Sequence, residues 1–339
     1  MTDRALPLRI GVLGAARIAE EAIVGPAQAL GHRLVAVAAR DRRRADAFAD
    51  RYGVERVLDG YADVVADPEV ELVYNPLPNA LHGPWNLEAV RVGKPVLSEK
   101  PFASCGAEAE QVRDAGREAG VPLLEGFHYL YHPLMRRLEE LLEGGELGEL
   151  REVESALVMP APDEEDPRWS FELAGGAMMD LGCYALHFAR QLGSWASGGP
   201  RVVEAAAVAR DGRPSVDQRL SARLEYPSGV TARIHCDMAA THRSFTWRVR
   251  GSRGEASAAN FVKPQADDRL TVVDAVGQRV EHVGTRPSYE FQLEAVAAHL
   301  RHGAPLRIDS DDAVQQMRLV DDCYTAAGLP RRPRRDAAQ

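Results

Sequence analysis

A lysine at the end of a short apolar run is the first residue in this sequence that suggests chemistry. In residues 95–101 (PVLSEKP), Val96 and Leu97 are apolar enough for a short buried strand, and Glu99 and Lys100 follow where that strand ends. Open α/β sheets bind their ligands at the carboxyl ends of their strands. A lysine there donates to a carbonyl or alkoxide oxygen, or shifts the pKa of a neighbour. The simpler alternative is a solvated Glu–Lys pair in a loop.

A second group of acid–base residues lies in residues 175–187 (GGAMMDLGCYALH). Asp180, Tyr184 and His187 are spaced i, i+4 and i+7, so a helix presents them on one face. Their neighbours are mostly apolar, and a buried, hydrogen-bonded Asp–Tyr pair is one interpretation. With a lysine across a cofactor cleft, the aspartate and the tyrosine form a proton-transfer set.

The N-terminal strand–turn–helix pattern is suited to a dinucleotide. Residues 8–13 (LRIGVL) form a β-rich run, and a helical pattern follows the turn. Glycines in such a turn let backbone N–H groups approach a pyrophosphate. Alanine occupies the second and third glycine positions of G-x-G-x-x-G, and the second is a departure that narrows the room for phosphate. We expect the cofactor to contact Gly14, Ala15, Ala16, Arg17 and Ile18.

The end of the second predicted strand bears on the choice of cofactor. Residues 34–39 (LVAVAA) form an apolar strand, Arg40 follows it, and Arg44 lies four residues on. An arginine there suits the 2′-phosphate of NADP, whereas an acid suits the ribose hydroxyls of NAD. Asp41 keeps NAD open, and an ordinary charged helix start is the structural alternative. We predict NADP.

Strands and helices alternate up to about residue 125, which indicates βαβ units and a parallel sheet. Helices are predicted at 43–52, 61–66, 84–92 and 108–119, and strands at 57–58, 72–74 and 121–125, the last as a sixth strand. Two prolines stiffen the loop that follows residues 72–74. We place Pro76, Leu77, Asn79, His82, Glu99 and Lys100 beside the cofactor crevice, although His82 equally suits a helix start or a solvent-facing position.

The pattern changes after residue 126. Strands are predicted at 149–159, 202–209, 220–226, 230–238, 245–250 and 270–273, separated by turn residues, and two helices at 288–301 and 310–326 close the chain. The predicted fold class is α/β: an N-terminal Rossmann doubly wound parallel sheet, then a C-terminal α/β domain with a large, mostly antiparallel open sheet. The expected domains are 1–125 and 126–330, with a frayed, solvated basic tail at 331–339.

The composition argues against several classes of protein. A chain of 339 residues with 45% hydrophobic and 27% charged residues predicts a soluble protein of two domains. A net charge of −9 with interspersed basic residues argues against nucleic-acid and membrane partners. Four scattered cysteines and the absence of a ligand-spaced cluster predict neither disulfides nor a metal site. With no secretory signal pattern, a cytoplasmic location is expected.

Taken together, these motifs resemble the glucose–fructose oxidoreductase, inositol dehydrogenase and rhizopine-catabolism family (Gfo/Idh/MocA). The likeness runs from about residue 9 to residue 330 and is carried by the Gly14 turn, the loop 76–79, the E-K-P motif 99–101, residues 131–133 and residues 175–184. The resemblance implies a homodimer or homotetramer formed through the C-terminal sheet. It also implies hydride transfer between nicotinamide and a secondary alcohol or ketone of a sugar, cyclitol or dihydrodiol.

The resemblance also implies residue roles. Lys100 is the catalytic lysine beside the substrate hydroxyl, and Asp180 is the shared acid. Tyr184 stands where inositol-dehydrogenase-like members have a histidine. With a tyrosine at this position, the sequence resembles the branch that contains the dihydrodiol dehydrogenases and the NADP-linked xylose dehydrogenases. That branch mostly uses NADP. In the expected mechanism Tyr184 takes the hydroxyl proton, Lys100 favours its phenolate, and Asp180 orients the lysine or the substrate. Arg168 and Trp169 are further candidates for substrate contact, and Trp169 also suits a core position.

Two other functions stay open at this point. One is a non-catalytic NADP-binding regulator on the same fold, because fold does not fix function. Intact Lys100, Asp180 and Tyr184 argue against it. The other is a glycosidase that uses tightly held NAD as an internal redox shuttle, as some members of this family do. The absence of an acid as the first residue after the second strand disfavours it.

Overall fold

The structure is a computed structural model that describes residues 6–335, and the chain divides into two compact units. Of the described residues, the first unit contains 6–127, then Tyr289–Val314, then 334–335. The second contains His128–Ser288 and Gln315–Pro333. The first boundary falls close to the expected one, but the expected continuous second domain 126–330 is interrupted by a segment that returns to the first unit.

A parallel sheet of five strands forms the first unit. Its strands are β1 (Arg9–Leu13), β2 (Arg33–Ala38), β3 (Leu72–Asn75), β4 (Val96–Ser98) and β5 (Leu123–Glu125), in the order β2-β1-β3-β4-β5. All four pairings are parallel, so the predicted Rossmann sheet is confirmed. Residues 57–58 make only an isolated bridge, between Val37 and Val57, because two residues are too short for a ladder. The strand at 123–125 is therefore the fifth and not the sixth.

Five helices connect these strands. They are α1 (Gly25–Leu30), which follows a π-helical turn at Glu20–Val24, then α2 (Arg42–Tyr52), α3 (Tyr61–Ala66), α4 (His82–Arg91) and α5 (Gly106–Ala119). The Asp41 side chain accepts from the Arg43 N–H and begins α2, and Gly53, in a left-handed conformation, ends it. Helix α8 (Ser288–His302) adds Tyr289, Leu293 and Val296 to the core of the first unit, which explains why this segment leaves the second unit.

The second unit is built on a sheet of eight strands. These are β6 (Leu150–Val158), β7 (Arg201–Arg210), β8 (Arg213–Glu225), β9 (Thr231–Asp237), β10 (Ser244–Gly251), β11 (Gly254–Ala258), β12 (Arg269–Asp274) and β13 (Gly277–His282). Their order is β13-β12-β11-β10-β6-β9-β8-β7, and of the seven neighbouring pairs only β6–β9 is parallel. The mostly antiparallel sheet is confirmed. Strands β11 and β13 were not predicted, because their sequences GEASA and GQRVEH contain few large apolar residues.

Helices cover one face of the second sheet. Helix α6 (Pro133–Glu143) follows a 3₁₀ turn at His128–Tyr131, and α7 (Cys183–Gln191) follows a π-helical turn at Met178–Gly182. Phe188 of α7 stacks on Trp247 of β10 with ring centroids 5.2 Å apart. Helix α9 (Ser310–Ala326) closes the fold. Among residues 6–335, no helix is long and apolar enough to cross a membrane.

The basic C-terminal segment is not solvated throughout, which corrects the expectation of a frayed tail. The Arg332 side chain is fully buried, and its Nη2 donates to Asp217 Oδ1 at 2.5 Å. Asp217 also accepts from the Met178 N–H at 2.6 Å and from the Tyr324 hydroxyl at 3.0 Å. Burial raises the pKa of Asp217, and the charge of Arg332 opposes that rise. The sequence did not reveal the pair because its two members come from separate parts of the chain.

Replacing Arg332 tests this buried ion pair. Arg332→Ala leaves the Asp217 carboxylate buried without its cation, so we expect it to lower the free energy of unfolding by about 3–5 kcal/mol at neutral pH. Urea unfolding measures the loss, which shrinks in acid once the carboxylate is protonated. Arg331→Ala is the matched control, because Arg331 is exposed. Equal stability of the two variants would show that the pair does not stabilise the unit.

Candidate active site

The Gly14 turn has the geometry that a dinucleotide needs. Gly14 is buried at a φ of +89°, and its N–H donates to the Ala38 carbonyl at 2.7 Å. A Cβ atom at Gly14 would lie 3.0 Å from Leu77 Cδ2, so glycine allows the close approach. Ala16 does not need the positive φ that favours glycine, because within residues 6–335 only Ala174 and Ser197 have a positive φ among the non-glycine residues. Alanine is therefore tolerated where the motif has its second glycine.

The rest of the turn runs towards the helix that follows it. Ala15 and Ile18 are half-buried and Arg17 is exposed. The Ile18 carbonyl accepts from the Ala22 N–H at 2.9 Å, which starts the helical turn. Backbone N–H groups at such a helix start attract phosphate.

Two arginines lie beside this turn. Arg44 Nη2 donates to the Ala15 carbonyl at 2.9 Å, and Arg40 is exposed just beyond β2. Tyr61 lies close to both: burial raises the pKa of its phenol, and the charges of Arg40 and Arg44 oppose the rise. The carboxylate of Asp41 instead caps α2. This arrangement fits a phosphate on the ribose better than a ribose diol bound by an acid.

Hydrogen bonds between buried polar groups hold the loop after β3 in place. Asn75 Nδ2 donates to Asn86 Oδ1 at 2.9 Å and to the His82 carbonyl at 3.2 Å. Pro76 and Leu77 are buried, whereas Asn79 is half-buried at the start of a 3₁₀ turn. The loop therefore has one fixed conformation next to the Gly14 turn.

His82 is neither solvent-facing nor directed at a cofactor, which corrects its expected place. Its ring is buried, with Nε2 2.7 Å from the Leu77 carbonyl oxygen and Nδ1 2.7 Å from that of Pro101. Burial lowers the pKa of His82 to about 4, so the ring is neutral and donates to one of the two carbonyls. Because both ring nitrogens face the backbone, His82 positions the loop after β3 and the segment that follows Lys100.

Glu99 also faces the protein interior. Its carboxylate is buried and accepts from the Tyr74 hydroxyl at 3.0 Å, and its N–H donates to the Asn75 carbonyl at 2.9 Å. These bonds join the ends of β3 and β4. Lys100 is half-buried at the carboxyl end of β4, and the peptide bond to Pro101 is cis. Of the E-K-P motif, the lysine is thus the member suited to chemistry.

In the second unit, two of the predicted substrate residues form an ion pair. Arg168 Nε donates to Asp180 Oδ2 at 2.7 Å, and Arg168 Nη1 lies 3.3 Å from Asp166 Oδ1. The charge of Asp180 raises the pKa of Arg168 above its usual value. The π-helical turn at Met178–Gly182 contains Asp180, so the i, i+4, i+7 spacing of an ideal α-helix does not hold there.

Tyr184 and His187 each bond to the 3₁₀ turn that precedes α6. The Tyr184 hydroxyl lies 3.0 Å from His128 Nε2, and His128 Nδ1 lies 2.8 Å from Ser288 Oγ. The Tyr129 hydroxyl lies 2.8 Å from His187 Nδ1. All five side chains are buried. Tyr184, one of the predicted acid–base residues, is therefore part of a hydrogen-bonded chain of side chains.

Trp169 is a core residue, which corrects its expected substrate contact. It is 1% exposed, its indole Nε1 donates to the Pro162 carbonyl at 3.3 Å, and Arg210 lies over its ring at 4.7 Å from the centroid. A tryptophan that is buried and bonded in this way packs the loop before α7 and leaves Arg168 as the polar residue of the pair.

Sequence reasoning missed four residues at these sites: Tyr61, Asn75, His128 and Ser288. An asparagine directly before the proline loop and a histidine three residues after β5 were visible in the sequence, but neither pattern specifies a partner. The contacts of Tyr61 and Ser288 had no sequence signal. Within the described residues, 6–335, no group of three His, Cys, Asp or Glu side chains is placed to hold a metal ion.

Comparison with known proteins finds two family models and many relatives. Residues 8–127 match "Oxidoreductase family, NAD-binding Rossmann fold" and residues 135–257 match "GFO/IDH/MocA C-terminal domain". A D-xylose 1-dehydrogenase (NADP(+)) of Haloferax volcanii is 36% identical over 94% of this chain and 97% of its own. A dTDP-3,4-didehydro-2,6-dideoxy-alpha-D-glucose 3-reductase of Streptomyces antibioticus is also 36% identical, over 94% and 97% of the two chains.

A solved structure gives the same result at the level of the fold. The 3-ketoreductase from Actinomadura kijaniata, in complex with NADP and TDP-benzene, superposes with a TM-score of 0.86 at 29% identity, covering 95% of this chain and 98% of that one. The full-length similarity, the two matched domains and the site geometry agree with one another. The protein belongs to the Gfo/Idh/MocA family of oxidoreductases.

Proposed function

We propose that this protein uses NADP to transfer a hydride to or from a secondary alcohol or ketone carbon of a sugar, cyclitol or dihydrodiol. One observation carries the proposal: a chain of contacts in the first unit links the dinucleotide turn to the lysine. Leu77 lies so close to Gly14 that a Cβ atom there would be 3.0 Å from Leu77 Cδ2. The Leu77 carbonyl oxygen lies 2.7 Å from His82 Nε2, and the carbonyl oxygen of Pro101, the residue after Lys100, lies 2.7 Å from His82 Nδ1. The same connected set of loops therefore supports both the turn that would bind the cofactor and the lysine that would bind the substrate.

The choice of NADP over NAD rests on the surroundings of the Gly14 turn. Arg40 and Arg44 supply positive charge beside Tyr61, whereas Asp41 is occupied as a helix cap. The Haloferax volcanii relative is named for NADP, and the Actinomadura kijaniata enzyme was solved with it. When bound, NADP supplies the hydride acceptor, and NADPH the donor; the residues of this chain bind and orient it.

Lys100, Asp180 and Tyr184 are the proposed catalytic residues. Lys100 donates a hydrogen bond to the substrate oxygen. Its positive charge also stabilises the negative charge that an oxygen gains when its proton leaves. Tyr184 exchanges the hydroxyl proton with the substrate. Arg168 holds the carboxylate of Asp180 in one orientation, in which it accepts from a substrate hydroxyl.

The names of the relatives support the proposed substrate class. The two enzymes named above act, by their names, on D-xylose and on a dTDP-linked ketosugar. We infer that a sugar or a similar polyol binds to Arg168, Asp180 and Tyr184. A screen of pentoses, hexoses and trans-dihydrodiols with NADP, followed by NADPH formation, tests this inference.

We also propose that two copies pair through the outer face of the eight-stranded sheet. This face forms an open concavity of about 910 Å³, lined by small residues such as Ala156, Ala206 and Ser221. Oppositely charged residues accompany them, including Arg223 and Glu204, 3.2 Å apart. A face that carries both charges can match a second copy of itself across a two-fold axis.

The first prediction concerns the cofactor. Arg40→Ala removes a charged donor to the 2′-phosphate, so we expect NADPH to bind roughly 10- to 100-fold more weakly while NADH binding is unchanged. Fluorescence titration measures both constants. Arg43→Ala is the matched control, because it removes the same charge from a neighbouring exposed position. Tighter NADH binding by the wild type would contradict the choice of NADP, and cofactor that copurifies without net turnover would indicate the glycosidase.

The second prediction concerns the proton-transfer residues. Lys100→Met and Tyr184→Phe each remove a group that acts on the substrate oxygen, so we expect kcat to fall by roughly 10²–10⁴-fold with NADPH affinity retained. Steady-state kinetics and cofactor titration measure the two effects. Tyr129→Phe is the control, because Tyr129 is a buried tyrosine that also bonds to a histidine. Wild-type turnover by Tyr184→Phe would remove the tyrosine from the mechanism.

The third prediction concerns assembly. Ser221→Trp places a bulky side chain in the concavity of the outer face, so we expect it to convert a dimer or tetramer into smaller species. Light scattering after gel filtration gives the mass. Val276→Trp is the control, because Val276 is 98% exposed in the turn between β12 and β13. A monomeric wild type, or an intact oligomer in Ser221→Trp, would rule out this interface.

A further inference from the structure

The hydroxyl of Tyr184 is hydrogen-bonded to a buried histidine, His128, to which the proposed function gives no role. His128 Nε2 lies 3.0 Å from that hydroxyl, and His128 Nδ1 lies 2.8 Å from Ser288 Oγ. His128 and Ser288 are 0% exposed, and Tyr184 is 4% exposed. The three side chains form a hydrogen-bonded chain that ends at the hydroxyl proposed to exchange a proton with the substrate.

Both partners of His128 are hydroxyl groups, and a hydroxyl can donate or accept. With the proton on Nδ1, the ring donates to Ser288 and accepts from Tyr184. With the proton on Nε2, it donates to Tyr184 and accepts from Ser288. Both neutral tautomers can therefore make both of these hydrogen bonds.

A second histidine–tyrosine pair nearby lacks this freedom. His187 Nε2 lies 3.2 Å from the side-chain amide nitrogen of Gln191, which can only donate. The neutral ring therefore carries its proton on Nδ1 and donates it to the Tyr129 hydroxyl, 2.8 Å away. Gln191 thus fixes His187 in one tautomer. The two pairs are similarly buried, but they differ in this respect and in the ring nitrogen that faces the tyrosine.

We propose that His128 is the proton reservoir behind Tyr184, an inference that rests on the proposed function. In alcohol oxidation the substrate carbon is oxidised as its C–H bond breaks and the hydride reduces the cofactor. The substrate O–H bond breaks and a new Tyr184 O–H bond forms. The original Tyr184 proton passes to His128 Nε2, and the imidazolium donates through Nδ1 to Ser288. Ketone reduction starts from the imidazolium and reverses each step.

The relay removes the need for a buried phenolate. A free tyrosine has a pKa of about 10 and a free histidine one of about 6.5. Burial disfavours both charged forms, the phenolate and the imidazolium, so the difference between these two values is what favours histidine as the group that takes the proton. With His128 behind it, Tyr184 passes a proton on and stays a neutral phenol. His128 contacts Tyr184 and not the substrate, so it acts as a positioning residue that also stores the proton.

Replacing His128 by glutamine separates proton storage from hydrogen bonding. In His128→Gln the amide can still bond to Tyr184 but does not take up a proton near neutral pH. We expect single-turnover hydride transfer to slow by roughly 10- to 100-fold, with KM and NADPH affinity unchanged. His187→Gln, the matched control, keeps the wild-type rate because His187 is locked. A wild-type rate in His128→Gln would overturn the relay.

A second measurement needs no turnover and holds even if His128→Gln does not fold. Imidazole nitrogen NMR on the wild-type protein distinguishes the tautomers. We expect His187 to show one tautomer with the proton on Nδ1, and His128 to show an average of both. Tyr184→Phe removes one partner of His128, so the average should shift. A His128 ring with its proton fixed on Nε2 would overturn the relay, because that nitrogen could not accept the Tyr184 proton.

Tyr184→Phe also separates failure of the relay from failure of the proposed function. If Tyr184→Phe loses turnover while His128→Gln keeps it, the relay is wrong and the role of Tyr184 stands. If Tyr184→Phe turns over like the wild type, the proposed role of Tyr184 is wrong, and the relay is wrong with it.

Discussion

The start of the helix that carries the proposed acid–base residues depends on a single buried carboxylate, that of Asp217. It receives the Met178 N–H, the Tyr324 hydroxyl and the guanidinium of Arg332, which also donates to the Gly175 carbonyl at 2.6 Å. A Cβ atom at Gly176 would lie against the same carboxylate, where φ is +129°. Because one anion satisfies donors from three segments, the place where this helix begins is set by the far end of the chain.

The first unit follows the same physical rule with a second set of buried polar groups. His82, Asn75 and the Glu99–Tyr74 pair spend their hydrogen-bonding capacity on backbone and on each other, inside the protein. Unsatisfied buried polar groups are costly, so such bonded sets specify one arrangement. The polar residues named by a motif are thus of two kinds. Some, like Glu99, hold the loops, and others, like Lys100, are the ones proposed to act on the ligand.

The fold was largely predictable from the sequence, and the contacts were not. Alternation of apolar runs with helical patterns revealed the parallel sheet, because a strand buried on both faces must be apolar throughout. Strands β11 and β13 lacked that signal. The π-helical turn at Asp180, the buried Arg332 and the packing of α8 on the first unit each depend on a partner distant in sequence. Trp169 shows the same limit, since neither its type nor its spacing distinguishes a core role from a substrate contact.

The two histidine–tyrosine pairs show why chemistry is set by a third partner. Tyr184–His128 and Tyr129–His187 contain the same side chains at similar distances. An amide that can only donate locks His187, whereas the Ser288 hydroxyl leaves His128 free to change tautomer. A reversible dehydrogenase must take a proton in one direction and give it in the other, so the His128 nitrogen that faces Tyr184 must be able to accept in one direction and donate in the other. On this argument the site has no built-in direction, and the ratios of NADP to NADPH and of ketone to alcohol, together with the pH, decide whether the protein oxidises an alcohol or reduces a ketone.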